Sequence, residues 1–265
     1  MRRTIYLLGF FLSFLYAVSS YAAAVFELVT GDVRAGPDSG RASAVRKDQR
    51  IEAGTVVTTG AKSVALLRFD DGQALALTEN SEVKVAEYAY TQADPRRDRS
   101  VFDLVKGAMR SVSGALAQRS PAAYALRIPQ ATIGVRGTDF MVGLVNPAYM
   151  QVTQGAIGVT NAAGSATFTA VSTAMVQSST VLATSIPASA LPPSINSAFS
   201  QLGAMPIASV GAGAGGASAA ASGGLGVGAI GAIAAAIAAA VAVASQDDSS
   251  ATPSTSGTTA TTGTK

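Results

Sequence analysis

Carboxylates and guanidinium groups are the reactive side chains that this sequence offers, because it contains no cysteine and no histidine. That composition excludes zinc sites of the usual kind, thiol nucleophiles and the common Ser-His pairs. Two facing carboxylates, for example Asp71 and Asp139, are the groups that glycan hydrolysis would need. Pairing with Arg136 is their competing role, and no phosphate loop or nucleophile–base pair accompanies them. We therefore expect no enzyme, no catalytic residue, no metal site and no cofactor.

A charged residue next to a glycine marks the most informative stretch, residues 135–140 (Val-Arg-Gly-Thr-Asp-Phe). It separates two strand-like apolar runs, 131–135 and 140–145. Gly137 permits positive φ or a close backbone approach, and Arg136 carries five donors that need acceptors. The sequence predicts an internal clasp in which Arg136 binds the turn formed by Asp70, Asp71 and Gly72. Thr138 and Asp139 would satisfy nearby backbone donors.

Charge is concentrated in the first half of the chain. Charged residues make up 13% of the sequence, against about 25% in typical proteins. After Asp139 the only charged side chains are Asp247, Asp248 and Lys265. Two small basic groups, residues 41–50 and 96–99, have the pattern of solvated loops rather than of a nucleic-acid surface. We expect no nucleic-acid partner.

The first 22 residues have the organisation of a secretory signal peptide. Arg2 and Arg3 precede an apolar run from Ile5 to Val18, and small residues follow. Cleavage after Ala22 or Ala24 fits this pattern. An uncleaved anchor is the alternative, but the run is short for a membrane span. We expect export to the periplasm or cell surface of a bacterium.

Many short strands are predicted between residues 25 and 177. Residues 63–69 are apolar on both alternating sets, which indicates a strand buried on both faces. The Asp71-Gly72 pair is a hairpin signal before residues 74–77. Further strands are predicted at 81–85, 124–128, 131–135 and 140–145. The expected fold class is all-β, as a small roll or sandwich or as a short β-solenoid.

An internal repeat supports this class. Residues 27–34 resemble residues 103–110, and residues 152–159 form a weaker third copy. Each copy places a glycine between apolar positions. We interpret this glycine as a bend that lets one strand serve two sheets.

The back half of the chain has low complexity. Residues 178–224 are predicted to be a Pro/Ser-rich and then Gly/Ala-rich linker. Residues 225–245 are apolar and Ala-rich, long enough either for a membrane span or for a helix outside the membrane. Residues 246–265 form a Ser/Thr tail that we expect to be disordered. The span would make the protein membrane-anchored at this segment.

Several of these segments occur in the order expected of a FecR domain, which the chain resembles over residues 25–145 and, in a longer reading, to 177. The Asp-Gly hairpin combined with Val-Arg-Gly-Thr-x-Phe carries most of this resemblance. It implies an all-β, extracytoplasmic, non-catalytic domain. The motif positions to which a structural or binding role is carried over are Gly31, Gly60, Asp70, Asp71, Gly72, Gly107, Arg136, Gly137, Thr138 and Phe140.

The founding members of the family are membrane regulators that relay iron-transport signals to a sigma factor. They begin with a cytoplasmic helical segment, whereas here a signal peptide leads into the domain. We therefore expect a non-catalytic envelope protein that binds or scaffolds an envelope protein or a glycan. The alternative is a membrane-associated component of extracytoplasmic signal transduction that pairs with its partner through a sheet edge.

Overall fold

The computed structural model describes residues 23–207. The predictions for the signal peptide, for residues 208–224, for the apolar segment at 225–245 and for the tail lie outside these residues. Fifteen strands and two α-helices make up the described part, so the predicted all-β class is confirmed.

The strands follow one another in a series of short elements and three long ones. They are β1 (Ala24–Thr30), β2 (Val33–Gly36), β3 (Ser43–Ala44), β4 (Arg50–Ile51), β5 (Val56–Thr59), β6 (Val64–Phe69), β7 (Ala74–Leu77), β8 (Glu82–Ala89), β9 (Arg99–Val112), β10 (Tyr124–Ile128), β11 (Ala131–Leu144), β12 (Ala148–Asn161), β13 (Gly164–Thr169), β14 (Ser172–Val176) and β15 (Thr184–Ile186). The helices are α1 (Ala115–Arg119) and α2 (Pro193–Ala204).

One continuous sheet folds back on itself to give two layers. The long strands β9, β11 and β12 each change partners halfway along. The two halves of each long strand lie in different layers. One layer has the strand order β3-β2-β5-β8-β9-β10-β11-β12-β13. The other has the order β4-β1-β6-β7-β9-β11-β12-β14-β15. The pairings are antiparallel except between β9 and β10. This favours the roll or sandwich over a β-solenoid, whose strands stack in parallel.

The main core lies between the two layers. Phe26, Leu67 and Phe102 are fully buried there. The rings of Phe69 and Phe102, one from each layer, meet edge to face with centroids 5.3 Å apart. Such aromatic pairs contribute about 0.5–1.5 kcal/mol beyond the burial of their area. The sandwich is therefore closed by side chains from both layers.

A second, smaller core lies on the other face of the β6 layer, under helix α2. Val64 and Leu66 of β6 point to this side, while Ala65, Leu67 and Phe69 point to the main core. The prediction that residues 63–69 are buried on both faces is confirmed, and α2 is the reason.

Helix α2 corrects the prediction that a linker begins at residue 178. Residues 184–186 form strand β15, and α2 begins with Pro193, whose fixed φ suits the first helical turn. Ile195, Phe199 and Leu202 form a buried stripe at helical spacing. The Pro, Ser and Ala residues around this stripe gave the segment the composition of a linker.

The hairpin at Asp71-Gly72 is confirmed, because β6 and β7 pair antiparallel across it. The second correction concerns residues 131–145. They were predicted as two strands separated by a turn, but form the single strand β11. The register against β12 shifts between Arg136 and Asp139. Gly137, with φ of 59°, allows the strand to bend without ending.

Candidate functional site

Asp71 of the predicted clasp is buried and is a structural acceptor. The Tyr88 hydroxyl donates to Oδ1 at 3.0 Å, as does the backbone N–H of Gln73. Oδ2 accepts from the N–H of Leu116 in α1 at 3.1 Å. Burial raises the pKa of Tyr88, and the charge of Asp71 raises it further, so the phenol stays protonated and able to donate. Asp71 thus joins the β6–β7 hairpin to β8 and α1.

The neighbouring residues of the hairpin are exposed or shape the turn. Asp70 is exposed to solvent. Partial desolvation raises the pKa of its carboxyl, with Arg50 acting against this and Asp71 adding to it. Gly72 has φ of 83° and donates its N–H to the carbonyl of Phe69 at 2.9 Å. Asp70 and Gly72 therefore belong to the turn itself.

Arg136 does not form the predicted clasp. Its side chain is exposed, and among residues 23–207 it makes no hydrogen bond or ion pair. The physical reason is the alternation of β11, in which Ile133 and Val135 point into the core and Arg136 points to the outer face. Asp139 follows the bend at Gly137 and pairs with a different arginine.

The clasp that the structure does contain joins Arg110 of β9 to Asp139 of β11. Arg110 Nε and Nη2 donate to the two carboxylate oxygens at 2.8 Å and 2.6 Å. Both side chains are only 11% exposed. Arg110 Nη1 also donates to the carbonyl oxygens of Leu202 and Met205, at 3.0 Å and 3.2 Å. A cation therefore sits at the C-terminal end of α2, where the helix dipole favours it.

Sequence reasoning missed this arrangement, because it paired Arg136 with the turn at Asp70 and Asp71 and gave Arg110 no partner. Arg110 lies 29 residues from Asp139 and more than 90 from the α2 carbonyls. The one signal was that Arg110 closes the second copy of the internal repeat.

A second ion pair holds the loop between β8 and β9. Arg119 of α1 binds both oxygens of Asp98, at 2.8 Å and 2.6 Å, and Ser120 Oγ donates to the same carboxylate at 2.7 Å. The Arg119 guanidinium also lies 4.5 Å from the centre of the Tyr90 ring. The hydrogen bond from Arg119 holds the pKa of Asp98 below its usual range. Asp98 is fully buried and ionised.

The glycines of the internal repeat are corners, as predicted. Gly31, Gly107 and Gly155, one from each copy, have φ of 75°, 82° and 78°. The strand changes partner at each of them: from β6 to β5 at Gly31, from β8 to β7 at Gly107, and from β14 to β13 at Gly155. The bend supplies the two layers from single strands.

A serine supports each of the corners at Gly31 and Gly107 and the bend at Gly137, and sequence reasoning missed it. The N–H groups of Asp32, Ala108 and Thr138, each just after a corner glycine, donate to serine Oγ atoms at 2.8 Å, 3.0 Å and 3.1 Å. The corresponding acceptors are Ser63, Ser81 and Ser113. The motif residues Gly31, Gly107, Gly137 and Thr138 are thus parts of one repeated corner.

The two remaining motif residues are also structural. Phe140 is fully buried in the main core. Gly60 donates its N–H to the carbonyl of Asp32 at 2.8 Å and accepts from the N–H of Asn80 at 3.1 Å. Of the motif side chains, Arg136 and Asp70 are therefore the two that face solvent.

The outer face around Arg136 is almost free of charge. Across β11, β12 and β13, Arg136 is in register with Ala156 and Thr169. The adjacent rows are Gly134, Gly158 and Thr167, and then Thr132, Thr160 and Ser165. The exposed side chains of this face on β12 and β13 are hydroxyls, which neither repel nor select a charged partner.

A cleft of about 330 Å³ lies between α2 and the turn at residues 78–80. Glu79 is the one ionisable residue of its lining, and its carboxylate accepts from the N–H of Lys62 at 2.6 Å. General acid–base catalysis by paired carboxylates needs two such groups. The cleft therefore has the character of a surface groove.

Two further features of residues 23–207 bear on function. No group of three carboxylates lies close enough to share a metal ion in this part of the chain. Neither of its helices combines the length and the apolar character needed to span a bilayer.

Comparisons with known proteins give one family. The model of the FecR protein family matches residues 55–158, which run from β5 through most of β12. No curated protein matches the chain.

Two crystal structures of a protein from Parabacteroides distasonis ATCC 8503, described as a candidate anti-sigma factor, are similar to this chain. They were determined at 2.50 Å and 1.65 Å resolution. Each is 12% identical, with a TM-score of 0.40, and the alignment covers 49% of this chain and 58% of the other. The chain thus matches little more than half the length of that protein.

The matched residues contain the Asp71-Gly72 hairpin, the corner at Gly107 and the Arg136 strand. These are the segments on which the resemblance in sequence was based. Residues 55–158 therefore carry the match to the FecR family.

Proposed function

We propose that this protein is a non-catalytic binding protein of the cell envelope, whose FecR domain contacts a partner protein through the outer face around Arg136. The observation that carries the proposal is the exposed guanidinium of Arg136, which the fold does not use within residues 23–207. A guanidinium presents a fork of donors that fits a carboxylate or a pair of carbonyls. The partner supplies such a group.

The support beneath Arg136 is rigid, which is what a binding contact needs. Val135 is buried in the main core and Ala156 is paired with Arg136 across the sheet. Gly155 packs so closely on Gly137 that a Cβ at Gly155 would collide with the Gly137 carbonyl. The guanidinium is therefore presented from a fixed backbone.

A partner protein suits this face better than a glycan. Sugar-binding surfaces commonly stack rings on exposed aromatic side chains, and the rows in register with Arg136 hold threonine, serine, glycine and alanine. A polypeptide partner, in contrast, supplies carboxylates and backbone carbonyls, which are the groups that the Arg136 guanidinium binds.

The hydrogen bonds made by the two candidate carboxylates support a non-catalytic role. Asp139 is taken up by Arg110 and Asp71 by three donors, so neither is free to act as a nucleophile or base. An envelope location is supported by the signal-peptide pattern of the first 22 residues. Ala23 and Ala24 are buried and Ala24 pairs with Phe69, so cleavage after Ala22 would leave β1 whole.

The test compares Arg136→Ala with Arg127→Ala, an exposed arginine on the same face that pairs with Asp103 at 2.6 Å. A photo-crosslinking residue placed at position 136 in cells should capture a defined envelope protein. Complex formation with that protein should be lost in Arg136→Ala and retained in Arg127→Ala. Both variants should unfold within about 0.5 kcal/mol of the parent, as exposed substitutions do.

Two outcomes would overturn the proposal. A loss of several kcal/mol of stability in Arg136→Ala would make this residue a structural one. Unchanged capture of the partner by Arg136→Ala would remove the residue from the interface.

The family match favours signalling as a second candidate function, because the founding FecR proteins transmit extracytoplasmic signals. In that case deletion of residues 225–265 should abolish a transcriptional response that depends on the protein. A response unchanged by this deletion argues against it.

A further inference from the structure

The longest uncharged stretch of the chain builds one side of the folded domain. Residues 140–246 contain no Asp, Glu, Lys, Arg or His. Within the described part, this stretch forms the end of β11 from residue 140, strands β12–β15 and helix α2. Soluble protein surfaces are normally about 25–35% charged. A folded surface without charge indicates that part of it is covered in the working protein.

In the part of the chain that the structure describes, the sheet has four edge strands, and three of them carry the protections that prevent edge-to-edge association. Natural edges are kept short, charged or blocked by proline. Strands β3 and β4 have two residues each and lie beside Arg41, Arg46 and Arg50. Strand β15 has three residues and is followed directly by Pro187.

Strand β13 has none of these protections. It has six residues, Gly164–Thr169, without charge or proline, and within residues 23–207 it pairs with β12 only. Its alternate backbone N–H and C=O groups therefore point away from the sheet, ready to pair with another strand. Phe168 is buried against the core, which fixes the register of this strand.

We propose that β13 pairs antiparallel with β13 of a second copy of this chain, joining two domains into one extended sheet. The argument for a second copy is electrostatic. Pairing a strand with its own copy places like beside like, which charged side chains would oppose, and β13 contains none. The same edge offers no charge by which to select a different partner.

The geometry of this pairing is determined by symmetry. Antiparallel strands related by a two-fold axis normal to the sheet place a residue near the strand centre opposite itself. Thr167 lies on the outer face near the centre of β13. In this register Ser165 of one copy faces Thr169 of the other, so hydroxyls meet hydroxyls and Phe168 remains on the core side.

The dimer would present both copies of Arg136 on the same face, because the two-fold axis does not exchange the faces of the sheet. The pairing does not rest on the proposed role of Arg136. Arg136→Ala should leave the dimer intact, which keeps a failure of one proposal separate from a failure of the other.

The absence of native cysteine makes the test direct. The full chain, purified as the cell processes it, is oxidised after the substitution Thr167→Cys. Residues opposite each other in antiparallel strands have Cβ atoms about 4.5–5.5 Å apart, within reach of a disulfide after a small adjustment. The matched control is Thr132→Cys, an exposed threonine of the same outer face that lies on the interior strand β11.

We expect a disulfide-linked dimer from Thr167→Cys and at least ten-fold less from Thr132→Cys. Equal crosslinking at both positions would show random collision and overturn the proposal. A crosslink from position 167 to a different protein would do the same.

A second pair of variants measures association without a crosslink. Thr167→Lys places two like charges opposite each other and should shift the full chain from dimer to monomer in sedimentation equilibrium. Thr132→Lys adds the same charge away from the edge and should leave the dimer unchanged. A parent protein that is monomeric at tens of micromolar, or a dimer that withstands Thr167→Lys, would overturn the pairing.

Discussion

Removing Arg110 should destabilise the domain strongly, because its guanidinium holds both a buried carboxylate and the end of helix α2. The substitution Arg110→Ala deletes four hydrogen bonds: two to Asp139 and one each to the carbonyls of Leu202 and Met205. It leaves the Asp139 side chain, which is 11% exposed in the intact domain, without its counter-ion. The consequence is an unpaired buried charge in the sheet and an uncapped C-terminus of α2.

The magnitude follows from the burial. Breaking a buried pair by removing one partner costs about 3–5 kcal/mol. In a domain of this size each kcal/mol lowers the melting temperature by about 2–4 °C. We therefore expect a fall of about 6–20 °C. The exposed pair Arg127–Asp103 has equal length, 2.6 Å, but its side chains are 50% and 32% exposed. Arg127→Ala should cost at most about 1 kcal/mol.

A double-mutant cycle separates the pair from its surroundings. Arg110→Ala, Asp139→Ala and the double variant are unfolded in denaturant. The double variant should lose less than the sum of the single losses, by about 0.5–3 kcal/mol, because neither charge is left alone. Additive losses would contradict the pairing.

Hydrogen exchange in α2 distinguishes the two partners. Arg110→Ala frees the carbonyls at the end of the helix, whereas Asp139→Ala leaves Arg110 in place to bind them. Amides of residues 194–204 should exchange faster in the Arg110 variant than in the Asp139 variant. Equal protection in both, together with a stability loss below about 1 kcal/mol, would refute the claim that Arg110 fastens the helix.

Two further predictions concern the corner and the buried acid. Gly107→Ala should cost at least about 1–3 kcal/mol in denaturant unfolding, because φ is 82° and a Cβ would lie 2.5 Å from the Ser81 Cα. The control Gly203→Ala, whose Cβ meets nothing within 4 Å in helix α2, should stabilise the domain by about 0.5–1 kcal/mol. A Gly107→Ala variant of unchanged stability would refute the role of Gly107 as a corner. The pKa of Asp98 is lowered in the folded state by Arg119, so its contribution is complete above the unfolded pKa of about 3.9 and is lost as the pH falls through the folded value. The stability gap between the parent and Asp98→Asn should therefore be constant above about pH 5 and close below about pH 4, and a gap that widens with acid would contradict the assignment.

Local signals in the sequence determined much of the fold. The alternation of apolar residues set the strands, and the Asp71-Gly72 turn set the β6–β7 hairpin, because both depend on residues close together in the chain. The repeated glycines marked the corners at Gly31 and Gly107 for the same reason. The resemblance to a FecR domain could be detected from the sequence because its segments occur in order along the chain.

The pairing of charges was decided by tertiary structure alone. Arg136 and Asp71 are the plausible partners in sequence, yet the alternation of β11 points Arg136 to solvent, while the bend at Gly137 redirects Asp139 toward Arg110. A single bend reverses which face later residues occupy, and no local pattern reports the partner strand.

The composition of the chain determined that one side of the domain would carry no charge, since residues 140–246 contain none. Only the tertiary structure decided which parts of this uncharged stretch are covered and which are left at an edge of the sheet. Helix α2 covers the outer face of one layer, with Ile195, Phe199 and Leu202 packed on it, while strand β13 is left at the edge of the other. A strand's position in a sheet depends on contacts between residues far apart in sequence, so the exposed edge emerges only when the chain is folded.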